Sequence, residues 1–196
     1  SHLFWYYLSE DERSLWQEQI EKVLLDRLRQ NEKAGIKKVL FTLYQSIAFS
    51  KAGIKNLYQL WNKEVAYADL KLNQEDFTQL AMTLAVYGHP DSDNILRKAR
   101  RAILDSSKLE RFDFILPALS QDPEIRIVYF DSFAALENRA LENWVLTACY
   151  YMHHPLRQKD AIRNLSVSLE LLEEIQRTGD IFFPKNWLDN TIGLYT

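Results

Sequence analysis

Apolar residues recur along this chain at intervals of three and four positions, the spacing that aligns side chains on one face of an α-helix. The pattern is densest near the C-terminus, where Leu141, Trp144, Val145, Ala148, Cys149 and Met152 form one stripe. His154-Pro155 stops that helix, because proline lacks an amide hydrogen and disfavours helical geometry in the residue before it. A second long helix is expected over SVSLELLEEIQRTG, ending at Gly179 in the left-handed C-cap conformation. Beyond it, Phe182, Phe183, Trp187, Leu188 and Ile192 are too apolar for a free terminus and are expected to dock on the preceding helices.

Towards the N-terminus, Ser9 and Glu12 form a capping box ahead of a stripe of Trp16, Ile20, Val23 and Leu24. Gly35 and the run Ser50 to Gly53 frame a helix whose apolar face is Ile36, Val39, Leu40, Leu43 and Ile47. Ile54, Leu57, Tyr58 and Trp61 make a further short helix. Asn73 caps the next one, with Phe77, Leu80, Ala81, Leu84, Ala85 and Gly88 on one face until His89-Pro90. The two His-Pro pairs end helices of matching pattern, and their separation fits two helical hairpins of roughly 30 to 35 residues. Asp122-Pro123 followed by Arg126 is the turn and second-helix start found in HEAT repeats, where the arginine bonds back to the turn. The sequence therefore predicts an all-α fold of stacked antiparallel helical hairpins, a HEAT-like α-α superhelix, with an irregular α-bundle as the alternative. One domain over 1–196 is the simpler organisation, and Ala66 to Lys71 is where a subdivision would fall.

Composition agrees with helices. The 196 residues are 47% hydrophobic and 26% charged, and only 5 glycines and 5 prolines are available, too few for the turns of a sandwich or barrel. A net charge of −3 gives no general attraction to nucleic acid or anionic lipid. Cys149 stands alone, so no internal disulfide forms, and its place on an apolar stripe makes it a core residue. No apolar run reaches the roughly 20 residues of a membrane span.

Groups that suggest chemistry have structural readings. His153 and His154 are adjacent, so a helix would point them about 100° apart, and a capping role fits them and His89 better than metal binding. Arg97, Lys98, Arg100 and Arg101 are flanked by Asp91, Asp93, Asp105 and Glu110 and read as a solvated helix face, as do Lys37 and Lys38. Glu173-Glu174 and Asp11-Glu12 read as exposed polar positions. Trp16, Trp61 and Trp144 sit on apolar stripes and are assigned to the core, with Trp5 and Trp187 less well placed near the chain ends.

The run SLELLEEIQRTGDIFFPKNWLD, preceded by ENWVLTACYYMHHPLR, resembles the C-terminal end of bacterial zinc metallo-aminopeptidases of the aminopeptidase N family, the gluzincins. The similarity is densest over about the last sixty residues. It implies that the chain is the C-terminal fragment of a larger hydrolase that removes N-terminal residues from peptides. In that parent a His-Glu-x-x-His helix and a further glutamate hold zinc, and Gly-x-Met-Glu-Asn binds the substrate amine. Neither motif occurs here, so by this resemblance the fragment has no catalytic residue, binds no metal, and is inactive alone. The resemblance further implies that the domain closes the substrate chamber and stabilises the catalytic domain, its partner in the same chain. Asn138, Arg139, Glu142, Arg177 and Asp180 are the chamber-wall candidates, an arginine there gripping the C-terminal carboxylate of a peptide substrate. A free-standing helical-repeat scaffold that binds a protein partner is the alternative.

Overall fold

A computed structural model describes residues 2–30 and 33–195. Among them the chain is all-α, with thirteen α-helices, short 3-10 turns and no strand. The helices are α1 (His2–Tyr6), α2 (Glu10–Arg29), α3 (Ala34–Gln45), α4 (Lys51–Trp61), α5 (Gln74–Val86), α6 (Ser92–Ala102) and α7 (Ser106–Ile115). They continue as α8 (Pro123–Asp131), α9 (Glu142–Met152), α10 (Gln158–Ala161), α11 (Asn164–Glu170), α12 (Leu172–Thr178) and α13 (Phe183–Asn190). The chain gathers into two compact units, Ser1–Ala102 and Ile103–Thr196. The Ala66 to Lys71 stretch is a connecting loop within the first unit.

In the first unit consecutive helices pair, α2 with α3, α4 with α5 and α5 with α6. Their starts follow local rules. Ser9 accepts from the Glu12 amide while the Glu12 carboxylate accepts from the Ser9 amide, and Asn73 and Asp76 make the same reciprocal pair. Helix α5 ends before Pro90 is reached. The Gly88 amide donates to the Ala85 carbonyl (3.1 Å) and the His89 amide to Leu84 (3.0 Å), with Gly88 at φ 73°, a left-handed stop that glycine alone adopts without strain. Ser50 is the N-cap of α4, so Lys51 to Gly53 are helical and not a break.

Two predicted stripes are turned only partly inward: Leu24 and Ile47 are buried as expected, but other members are exposed. Helix α2 buries Gln17, Glu21, Leu24 and Leu28 while Trp16 and Val23 stay exposed. Helix α3 buries Lys37, Phe41, Tyr44 and Gln45 while Ile36 and Val39 stay exposed. The buried polar groups all have partners. The Glu21 carboxylate accepts from the Ser50 amide (2.9 Å), the Ser50 hydroxyl and Gln17 Nε2 (3.3 Å). Lys37 Nζ donates to the Ala68 carbonyl (2.6 Å), and Gln45 Nε2 to Thr83 Oγ1 (2.9 Å). Satisfied in this way, a polar group can be buried at modest cost. Lys37 is therefore an interior residue, and Lys38 forms an ion pair with Asp76.

The second unit pairs elements further apart in sequence, α7 with α9, α9 with α13 and α8 with α11. Its core is built on Phe112, Ile115, Phe130, Phe133, Val145, Cys149, Ile175 and Trp187. Trp187 is fully buried and donates from Nε1 to the Ser168 carbonyl (2.9 Å), and Trp5 in the first unit is likewise buried with its indole on the Ser46 carbonyl (2.7 Å). Trp61 and Trp144 are only half-buried. The single helix expected over SVSLELLEEIQRTG is two, α11 and α12, joined at Leu171.

Candidate functional site

Asp122 opens α8 by accepting from the Glu124 amide (2.9 Å), with Pro123 in the first helical turn. One turn later Arg126 reaches back and donates from Nη1 to the Ser120 carbonyl (2.6 Å), while its Nη2 pairs with Asp160 (2.7 Å). Arg157 serves the same turn, donating from Nη1 to Ala118 (2.7 Å) and from Nη2 to Leu119 (3.2 Å). Burial, with the charge of Arg126 adding to it, pushes Arg157 down to about 9. The two guanidiniums thus take up carbonyls that the 3-10 turn Leu116–Leu119 leaves open. Arg126 bonds back to the turn as its spacing from Asp122-Pro123 suggested.

Arg139 does the same for the turn Ser132–Ala134. Its Nη1 donates to the carbonyls of Phe133 and Ala134 (3.1 Å for the latter), and Nη2 pairs with Glu174 (2.6 Å). Its charge and donors are directed at these three acceptors, and Arg139 is buried. Arg177 is exposed, in a loose pair with Glu173 at 3.9 Å. Asn138 donates from Nδ2 to the Ser132 carbonyl (2.8 Å). Glu142 Oε1 accepts from the Asp180 amide (2.8 Å), and Asp180 Oδ1 accepts from the Phe182 amide (2.9 Å), so two of the candidate residues together shape the α12–α13 corner.

These bonds close one side of a cleft of about 260 Å³ lined by Leu136, Glu137, Arg139, Ala140, Glu142, Thr178, Gly179 and Phe183. The structure thus brings Arg139 and Glu142 into one lining, with Asp180 bonded to it. Gly179 is held there by crowding, since a Cβ would lie 2.7 Å from Phe183 Cδ1 and 2.9 Å from the Ile175 carbonyl oxygen. Its φ of −89° and ψ of 170° are ordinary extended geometry, so the left-handed stop expected at Gly179 is not what selects glycine. Glu137 and Glu142 share this lining with Arg139, whose charge is paired by Glu174.

Sequence reasoning missed a second concavity, an apolar groove of about 470 Å³ along α8 lined by Pro117, Glu124, Ile125, Val128, Tyr129 and Ser132. The i, i+3, i+4 spacing of Ile125, Val128 and Tyr129 was its available signal. Phe182, expected to dock with the tail, is exposed, as is its neighbour Ile181, whereas Phe183 and Trp187 are buried.

The histidines are structural. His154 Nδ1 accepts from the Leu156 amide (3.3 Å) and His89 Nδ1 from the Asp91 amide (3.1 Å), so each His-Pro pair folds its following turn onto an imidazole. His153 is fully buried against Phe130, with Nδ1 3.2 Å from the Tyr195 hydroxyl, and burial pushes it down to about 4. Burial also pushes the Cys149 thiol up, far from nucleophilic form. Among the described residues no group of three or more His, Cys, Asp or Glu could hold a metal ion, and no helix is long and apolar enough to cross a membrane. Comparison with known proteins finds no matching protein family, no matching curated protein and no matching solved structure.

Proposed function

We propose that this chain is the non-catalytic C-terminal helical domain of a zinc aminopeptidase, closing the parent's substrate chamber and stabilising its catalytic domain. The observation that carries the reading is the resemblance over Glu142 to Asp189, ENWVLTACYYMHHPLR and SLELLEEIQRTGDIFFPKNWLD. The uses that this stretch finds in the second unit support it: Glu142 holds the Asp180 amide, His154 turns the chain, Gly179 admits Phe183, and Trp187 anchors the tail. The uncovered apolar groove on α8 and the exposed pair Ile181-Phe182 suit a domain that meets other protein surface. Zinc and peptide hydrolysis belong to the parent's catalytic part, and no residue of this chain is assigned to them. HEAT-like stacking of the hairpins belongs to the same proposal. Asn138, Arg177 and Asp180 are the chamber-wall residues with exposed surface, Arg177 being the one to meet a peptide carboxylate.

The test is the reading frame upstream of Ser1. In-frame His-Glu-x-x-His and Gly-x-Met-Glu-Asn are expected there, and deletion of the present domain should then impair the parent's activity or stability. A start codon directly upstream, with neither motif, overturns the proposal and favours the free-standing helical scaffold, for which the α8 groove is the specific observation.

A further inference from the structure

Helices α2 and α3 send polar residues inward and leave apolar residues out. Leu15 is 73% exposed, Trp16 47%, Val23 55%, Ile36 46% and Val39 69%. On the helical wheel, half-buried Ile20 lies between Trp16 and buried Leu24, and half-buried Leu40 lies between Ile36 and buried Tyr44. Because α2 and α3 pack on each other, the exposed apolar residues of both belong to one helical hairpin. The inversion is built in: Glu21, Lys37 and Gln45 are held inside by Ser50, Ala68 and Thr83, so neither helix can roll its apolar stripe inward without stranding a buried polar group.

We infer that these exposed residues form a self-association surface, on which the α2–α3 hairpin of a second copy packs across a two-fold axis to make a four-helix arrangement. Two observations select a second copy. The five exposed side chains offer roughly 500 Å² of apolar area, well over half of the about 800 Å² that each partner gives to a standard interface, leaving a polar rim to supply the rest. The charge on α2 is self-complementary. Its first turn carries Glu10, Asp11 and Glu12 and its last turn Arg27 and Arg29, so antiparallel packing against the same helix sets each acidic end beside the partner's basic end. This inference is independent of the proposed parent enzyme.

Sedimentation of the whole chain from micromolar to millimolar concentration tests it. A monomer–dimer equilibrium is expected, weakened at least about tenfold by Val39→Asp, an exposed position whose change leaves the helical signal and melting intact. Arg27→Glu with Arg29→Glu makes both ends acidic, and Glu10→Lys with Asp11→Lys makes both basic. Each variant alone should associate weakly, and an equimolar mixture should recover a heterodimer. A chain that stays monomeric throughout, a dimer that Val39→Asp leaves unchanged, or charge variants that fail to recover on mixing each overturn the inference.

Discussion

His153 and Glu21 are buried ionisable residues whose burial acts in opposite senses on stability. Neutral His153 fits between Phe130 and Tyr195, and its folded value near 4 lies below the ordinary 6.5. Between those values the unfolded chain binds the extra proton, so stability contributed by the neutral ring is present above 6.5 and lost as pH falls towards 4. The loss amounts to about 3 kcal/mol. His153→Phe is expected to flatten that part of a chemical-denaturation series, and a variant that keeps the wild-type slope would remove His153 as its source. For Glu21, burial raises the carboxyl against the opposing bonds from Ser50 and Gln17. A raised carboxyl contributes stability below the ordinary 4.5 that is lost as pH rises through the folded value. Glu21→Gln, which removes the buried charge, should therefore gain on wild type between acid and neutral pH. Glu21→Ala should lose about 2 kcal/mol in acid by stranding the Ser50 amide, and less as pH rises through the folded value of Glu21.

At the scale of the element, glycine substitutions separate crowding from propensity. Sequence alone reads Gly179 and Gly35 alike as helix breaks, yet Gly35 sits inside α3 with open space where a Cβ would go, and Gly179 sits against Phe183 and Ile175. Gly35→Ala should stabilise by about 0.5 kcal/mol through helix propensity. Gly179→Ala should destabilise by about 1 to 3 kcal/mol, because the new methyl displaces Phe183 from the core. Thermal melts that rank the pair the other way would refute the crowding argument. The same contrast explains what could be read in advance. Caps at Ser9 and Asn73, the Asp122-Pro123-Arg126 turn and the core stripe through Val145, Ala148 and Cys149 depend on residues a few positions apart, and the sequence displays them directly. The outward faces of α2 and α3 depend on Glu21 meeting Ser50, Lys37 meeting Ala68, and Gln45 meeting Thr83. Those partners lie 29 to 38 residues away, beyond any helical window, and apolar periodicity alone turned Trp16, Val23, Ile36 and Val39 inward when they are exposed. At the candidate cleft, Arg139 and Glu142 were legible as a polar group at a helix start, but the appetite of the Phe133 and Ala134 carbonyls for Arg139 was not.

For the whole molecule, each of the two units has its own interior. The first closes around Leu28, Phe41, Tyr44, Leu57, Leu80, Leu84 and Ile95, and the second around Phe112, Phe130, Phe133, Cys149 and Trp187. Ile103, Leu104 and Asp105 are non-helical; Asp105 caps α7 through the Lys108 amide (2.9 Å), while Leu104 is 97% exposed. A protease must draw an extended segment into its cleft, which an exposed three-residue coil permits far more readily than a packed helix. Brief digestion with a protease that cuts after large apolar residues should therefore cleave first after Leu104. Because each half keeps a closed apolar core and its own capped helices, both fragments should retain helical circular dichroism and unfold in separate transitions. Val23, Val39 and Ile181 lie elsewhere on exposed surface, but the first two are within helices whose backbone bonds resist extension, which places them behind Leu104 in the order of cutting. First cleavage inside α2 or α3, or collapse of both fragments after a cut at Leu104, would show that one cooperative core spans the chain, and the Ala102–Ile103 boundary would then mark only a change in packing density.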